Sequence, residues 1–410
     1  MSVGLHPEGF HPEAADFTPP AVLGLIQKRS LIIGAALLVV CAIGWAMNAQ
    51  QFFRSYLMAY VLWMGVSLGC MAILMVQHLS GGGWGLVIQR VLEAAAGPRV
   101  IPVMAVLFLP IVLGMPHLYI WTDTARVAQD HLLQHKAAYL NTGFFLGRTA
   151  FYFAAWIAMA FAFSRLSAAQ DRSSDPGVRE RLQMLSGGGL LLYGFTVTFA
   201  AVDWVMSLDP HWFSTIYGIL FMGGQGVSAM CFVIAMGALL VKHKPMDTVL
   251  RPEHFHDLGK LLLAFVMLWA YFAFSQFLII WSGNLPEEIP WYLHRLHGGW
   301  QFVALALVVF HFALPFAVLL SRDLKRQARR LVGIAVVVLA MRLVDLYWLV
   351  APNFDEAQHG LTAHWLDIAA PIAIGGIWMA AFLHQLRGRP LVPLYDPRLK
   401  QVLEAKHAGH

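Results

Sequence analysis

Asp203, Arg342, Asp345, Arg148, His117, His311 and Gln276 are polar side chains set in stretches of sequence that are otherwise almost entirely apolar. Groups of these kinds can exchange protons, pair as ions, or hydrogen-bond the head group of a quinone. Ionisable side chains in hydrocarbon cost several kcal/mol, so each is a functional candidate. Arg342 and Asp345 are three residues apart and share a helical face, where they can neutralise each other. That pair reads in two ways, as a clamp holding a helix bundle or as part of a proton relay or quinone pocket. Asp203 follows Tyr193, Thr196 and Thr198 in the preceding turns; a carboxylate desolvated in such company is suited to exchanging protons. His311 is the titratable group deepest in an apolar stretch. It reads as a hydrogen-bonded core residue or as a haem ligand. A cytochrome b-like bundle needs paired histidines on facing helices, and His117, the other candidate, is expected at a different depth.

Other residue types offer less. Cys41, Cys70 and Cys231 lie singly in apolar runs without CxxC or CxxCH spacing. They read as small buried hydrophobes, not as ligands of an iron–sulfur centre or c-type haem. Glu253, His254, His256 and Asp257 are close in sequence, but read as a surface loop rather than a zinc site. The glycine run at 81–83 lacks the Lys-Ser/Thr that completes a phosphate loop.

The elements that must position these groups are membrane helices. Of the 410 residues, 59% are hydrophobic and only 12% charged, with mean hydropathy +0.63. A soluble domain carries about a quarter charged residues, and a chain of this size cannot hide so much apolar surface from water. Apolar stretches near the roughly 20 residues needed to cross a bilayer fall at 30–48, 56–77, 101–121, 145–164, 187–206, 214–240, 260–281, 299–320, 331–351 and 365–385. The third contains Pro102, Pro110 and Pro116, which buried membrane helices tolerate. The first follows Lys28 and Arg29 with no small-residue cleavage site after it, and reads as an uncleaved helix rather than a signal peptide. Residues 81–97 read as a short interfacial helix with Trp84, Leu86, Val87 and Val91 toward lipid. The chain thus divides into a tail at 1–29, a ten-helix all-α membrane domain at 30–385 and a tail at 386–410.

Charge fixes the expected orientation. When the amino terminus and every second connection are assigned to one side, that side takes all but Arg54, Arg126, Lys136, Arg148, Arg295 and Arg342 of the 28 basic residues, Arg398, Lys400 and Lys406 among them. By the positive-inside rule it is cytoplasmic, with both termini there. The other side carries Asp123, Asp130, Asp209, Glu287, Glu288, Asp355 and Glu356, with Trp121, Trp212, Trp281, Trp291 and Trp300 nearby, and 283–288 reads as a turn there. The net charge of +5 therefore reflects topology, not a nucleic-acid surface. A secondary transporter is disfavoured, because the charged groups collect toward one surface and no repeated motif pair is apparent.

Several strings carry a resemblance. The run from Ala201 to Gly218 (AVDWVMSLDPHWFSTIYG) resembles the F subunit of alternative complex III, the bacterial quinol:cytochrome c oxidoreductase. So do Ser275 to Trp281 (SQFLIIW), Asn284 to Glu288 (NLPEE), Trp291-Tyr292, Gly298-Gly299-Trp300, His311 to Phe316 (HFALPF) and Arg342 to Trp348 (RLVDLYW). The resemblance implies membership of the NrfD/PsrC-like superfamily, whose core is two four-helix bundles. It implies a bacterial inner-membrane location and partners: a related C subunit, an iron–sulfur B subunit, c-type cytochromes, small membrane subunits and, in some complexes, a terminal oxidase. It implies no covalently bound cofactor in this chain, a possible quinone or quinol, and a role in proton conduction or a quinone-facing cavity. Asp203, Arg342 and Asp345 fall inside the matching strings; His117 is placed from topology alone. The alternative is a scaffold that docks the complex to a terminal oxidase and has no quinol site of its own.

Overall fold

The computed structural model describes residues 17–172, 175–354, 360–396 and 399. Asp355, Glu356, Arg398, Lys400, Lys406 and most of both expected tails lie outside the described residues.

Among the described residues, ten helices are long and apolar enough to cross a membrane: α1 (Val22–Met47), α2 (Ala49–Ser80), α3 (Gln89–Leu113), α4 (Thr142–Gln170), α5 (Pro176–Leu208), α6 (Tyr217–Leu240), α7 (Pro252–Gly283), α8 (Trp300–Leu319), α9 (Ala328–Asn353) and α10 (Leu366–Leu386). Large apolar side chains stand on their outer faces. Ile32, Phe195 and Phe302 keep 68%, 67% and 66% of their surface uncovered, an arrangement stable only where lipid replaces water. The chain is a multi-pass membrane protein.

Helices α2 to α5 pack as one four-helix bundle and α6 to α9 as a second. The bundles meet through α2 and α6, the two most enclosed helices, with α5 also lying against α6. Helix α10 packs across α2 and α3, and α1 lies along α10 on the outside. Gly34 and Gly376 allow that last contact: a β-carbon on Gly34 would come within 2.7 Å of the Ile377 nitrogen. Small residues let membrane helices approach in this way. A single residue, Asn48, separates α1 from α2, and its side chain accepts from the Gln51 N–H to cap the second helix.

The third span departs from its expected limits. It begins at Gln89 rather than near 101, and Leu86, Val87 and Val91 are buried in protein instead of facing lipid. Arg90 and Glu93, which look like loop residues in sequence, neutralise each other one turn apart on α3, and Arg90 also pairs with Asp171. At its far end, Pro110, Gly114 and Pro116 break the helix into short pieces that turn away after Leu113. Helix α7 likewise begins early, so Glu253, His254, His256 and Asp257 stand in its first turns rather than in a loop. The turn expected at 283–288 is present, with Asn284 closing α7 in the left-handed conformation at φ 46°.

Helix α8 is π-helical from Leu307 to Ala313. Pro315 explains the widened turn: it has no N–H to give, and its ring would collide with the carbonyl four residues back, that of His311.

Candidate functional site: two buried arginine–carboxylate centres

Each bundle holds one arginine–aspartate pair among its own helices in the half nearer the tryptophan-rich side, and a looser pair on that side, Arg54 of α2 with Asp367 of α10 at 3.8 Å, ties the first bundle to the helix outside it. In the first bundle Asp203, at the last turn of α5, is fully enclosed. Arg148 of α4 donates from Nε to Oδ2 and from Nη2 to Oδ1, both at 2.9 Å. This is the forked geometry that suits a guanidinium to a carboxylate. Tyr152, one turn along α4 on the same face, donates its hydroxyl to Oδ2 at 2.7 Å. The Arg148 guanidinium lies over the Tyr139 ring at 3.8 Å and the Phe144 ring at 4.2 Å, and its Nη1 donates to the Tyr139 carbonyl. Three donors and two aromatic faces therefore fix a charge pair read from sequence as two separate residues.

The end of α5 is held equally well. Tyr119 donates to the Trp204 carbonyl at 3.0 Å and Trp121 to the Ser207 carbonyl at 3.2 Å. These bonds satisfy carbonyls that a helix end leaves without intrahelical partners. The polar residues that precede Asp203 do not reach it. Tyr193 donates to Gln225 of α6, Thr196 accepts from Trp156, and Thr198 bonds back to the Gly194 carbonyl of its own helix.

The second centre draws one contact from each helix of its bundle. Arg342 and Asp345 pair within α9, and Trp269 of α7 donates its indole N–H to Asp345 at 3.0 Å. Gly224 of α6 makes room for the Arg342 guanidinium. His311, on the π-helical turn of α8, sets its ring edge-on to Trp269 with centroids 4.1 Å apart. The imidazole is buried, with the Val338 backbone turned toward it and neither nitrogen in a hydrogen bond of ordinary geometry. His311 therefore packs beside the pair without a tight polar tie to it.

The remaining sequence candidates fall elsewhere. Gln276 accepts from Ser214 at 3.0 Å and donates to the Tyr292 hydroxyl at 3.4 Å, tying the end of α7 to the connections around it. His117 lies beyond the end of α3, exposed and stacked on Phe53 at 5.4 Å. It sits on a short turn created by the proline and glycine breaks, so it is not a buried partner of either centre. Arg295, read as part of an outer connection, is 1% exposed. It donates to the Trp291, Trp348 and Leu349 carbonyls and to Asn353 Oδ1, and so caps the end of α9.

A void of about 20 Å³ lies where α2, α5 and α6 meet, lined by Gly65, Leu68, Ala201, Trp204, Phe221 and Gln225. It has room for about one water. Trp204 adjoins Asp203 in sequence and the Phe221 ring lies 5.7 Å from the Arg342 guanidinium carbon, but neither pair lines the void. A void of the same volume on the basic side is lined by Arg90, Glu93, Ser164, Gln385 and Arg389. Small-molecule sites are typically some 300–1,000 Å³; neither void admits a quinone ring. Among the described residues, no three His, Cys, Asp or Glu side chains converge on a metal-sized point.

Sequence reading missed Tyr152 and Trp269. Tyr152 carried a usable signal, four residues from Arg148 and hence on the same face. Trp269 carried none, since its partner is on another helix. No protein-family model matches the chain, and no curated protein matches it.

Proposed function

We propose that this chain is an integral subunit of a quinol:cytochrome c oxidoreductase of the alternative complex III kind, and that its two arginine–carboxylate centres hold and pass protons. It would lie in a bacterial inner membrane with both ends cytoplasmic. Its partners would be the related C subunit, the iron–sulfur B subunit, c-type cytochromes and small membrane subunits, which would carry the electrons.

The observation that supports this reading most is the repetition of one device, a buried aspartate held by arginine among the helices of each bundle and on the same side, apart from the Arg54–Asp367 pair that ties α2 to α10. Both aspartates lie inside the strings that carry the resemblance. A carboxylate so paired takes a proton only when its arginine moves or is neutralised by another charge. Proton transfer here would thus follow movement of the surrounding helices, which a redox partner can drive. Any quinone contact would lie on a surface shared with a neighbouring subunit.

A scaffold role is the second reading, favoured by the neutralisation of both aspartates, as in a clamp. Asp203→Asn and Asp345→Asn in the native complex separate the two. The relay reading expects an assembled complex whose proton release per quinol oxidised falls. Poor assembly, with normal stoichiometry in the complex that does form, would leave only the scaffold.

A further inference from the structure

The basic side is not uniformly charged. Three of its cations are neutralised in place: Arg90 by Glu93 and Asp171, Lys260 by Asp257 at 3.1 Å, and Arg326 by Glu253 at 2.9 Å. One strip brings several of the rest to the end of a single helix: Arg99 at the break within α3 just before Val100, Arg387 at the end of α10, and Lys28 and Arg29 near the start of α1 are all exposed, and none pairs with a carboxylate among the described residues.

Arg99 and Arg387 both stand at the end of α10, and Arg387 links that end to the turn of α1 next to Lys28 and Arg29. Arg387 reaches across to α1, where its Nη1 donates to the Gln27 amide oxygen at 2.8 Å, and its guanidinium lies over Gly24, within 3.0 Å of where a β-carbon would stand. Arg99 reaches toward α10, donating from Nη1 to the His384 carbonyl at 3.0 Å, and lies beside Gly388. Both arginines therefore have guanidinium N–H groups left over and are held in place by neutral acceptors. Directly beyond Lys28 and Arg29, α1 exposes Leu31, Ile32 and Ile33.

We infer that this strip is a binding site for the headgroup of an anionic phospholipid, whose acyl chains lie on the exposed apolar flank of α1. The ligand must carry a phosphodiester with net negative charge and a hydrocarbon tail. Guanidinium forks match phosphate oxygens in pairs. The strip stands where apolar helix gives way to polar chain, the depth of the phosphate layer, and basic pockets between helix ends on such a side suit acidic lipids. A zwitterionic lipid would leave the four cations without a net counter-charge. This inference does not depend on the proposed role in quinol oxidation.

The test uses the full chain, delipidated in detergent and titrated with phosphatidylglycerol or phosphatidylcholine, with bound lipid counted by native mass spectrometry. The wild type should retain phosphatidylglycerol in preference. At about a factor of five in affinity per basic residue near the surface, R99Q/R387Q should bind it roughly 30-fold more weakly. K28Q/R29Q should show a loss in the same direction, and serves if the first variant does not fold. R179Q/R181Q, which removes exposed charge elsewhere on the basic side, should bind like the wild type. Equal uptake of the two lipids by the wild type, or an unchanged phosphatidylglycerol affinity in both strip variants, would overturn the site. So would full displacement of the lipid by inorganic phosphate, which would assign the strip to a soluble anion, or by poly-glutamate, which would assign it to an acidic protein segment.

Discussion

Gly224 lies flush against the guanidinium of Arg342: a β-carbon there would stand 2.2 Å from its Cζ. The absence of a side chain on α6 is thus what allows a charged pair on α9 to sit inside the bundle. Gly224→Ala should displace Arg342 and cost about 1–3 kcal/mol, the usual range for overpacking. Gly194→Ala meets nothing within 4 Å and should be neutral or stabilising by up to about 1 kcal/mol. Thermal unfolding of the two variants in detergent compares them; equal melting temperatures would show that Arg342 has somewhere else to go.

Asp203→Asn leaves Arg148 without its counter-charge and should destabilise by about 3 kcal/mol, the low end for breaking a buried pair. The double replacement Arg148→Met with Asp203→Leu should recover most of that loss, because removing both charges also removes both desolvation costs. Denaturant or thermal unfolding of the three variants measures this. If the pair also passes protons, the double variant will be stable and still defective in proton release.

His311→Phe should change stability by less than about 1.5 kcal/mol, since the imbedded ring makes no hydrogen bond of ordinary geometry and the replacement keeps the edge-on contact with Trp269. Trp269→Phe, by contrast, removes a donor to Asp345 and should cost about 1–3 kcal/mol. A larger loss at His311 than at Trp269 would place the histidine within the polar network.

On the tryptophan-rich side, Asp130 accepts from His211 at 2.6 Å and joins the connection after α3 to the one after α5. Hydrogen bonds from His211 and from the Leu133 backbone hold its carboxyl below the ordinary aspartate range. A depressed carboxyl contributes fully above that range, and its contribution disappears as pH falls through its own, lower value. Hydrogen exchange in residues 131–136 should therefore be unaffected between pH 7 and 5 by any change at Asp130, and should rise on Asp130→Asn at either pH. A rise between pH 7 and 5 in the wild type would assign the contact to titration of another group.

Much of this architecture was legible in the sequence, and the places where it was not share a cause. Helices α2, α6 and α7 announce themselves by long apolar runs. The start of α3 does not, because Arg90 and Glu93 look costly until their pairing, and Asp171 just past the end of α4, are known. Arg342 and Asp345 could be paired by spacing alone. Asp203 and Arg148 could each be flagged as buried charge, but their partnership spans 55 residues and two helices. His117 was drawn into a span by its apolar neighbours, whereas Pro110, Gly114 and Pro116 carry the chain out of the bundle before it. Arg295 was read as a loop charge because its acceptors are backbone carbonyls, which leave no trace in residue type.

The pairing of α1 with α10 has a consequence for how the molecule is made. In the finished fold α1 rests against α10, a helix translated only after the whole of both bundles. Until residues 366–386 are synthesised, the Gly34 face has no permanent neighbour, and α1 is tethered chiefly through the one-residue turn at Asn48. Seating of α1 is therefore a late event in biogenesis, and a ribosome that stops before α10 leaves the Gly34 face uncovered.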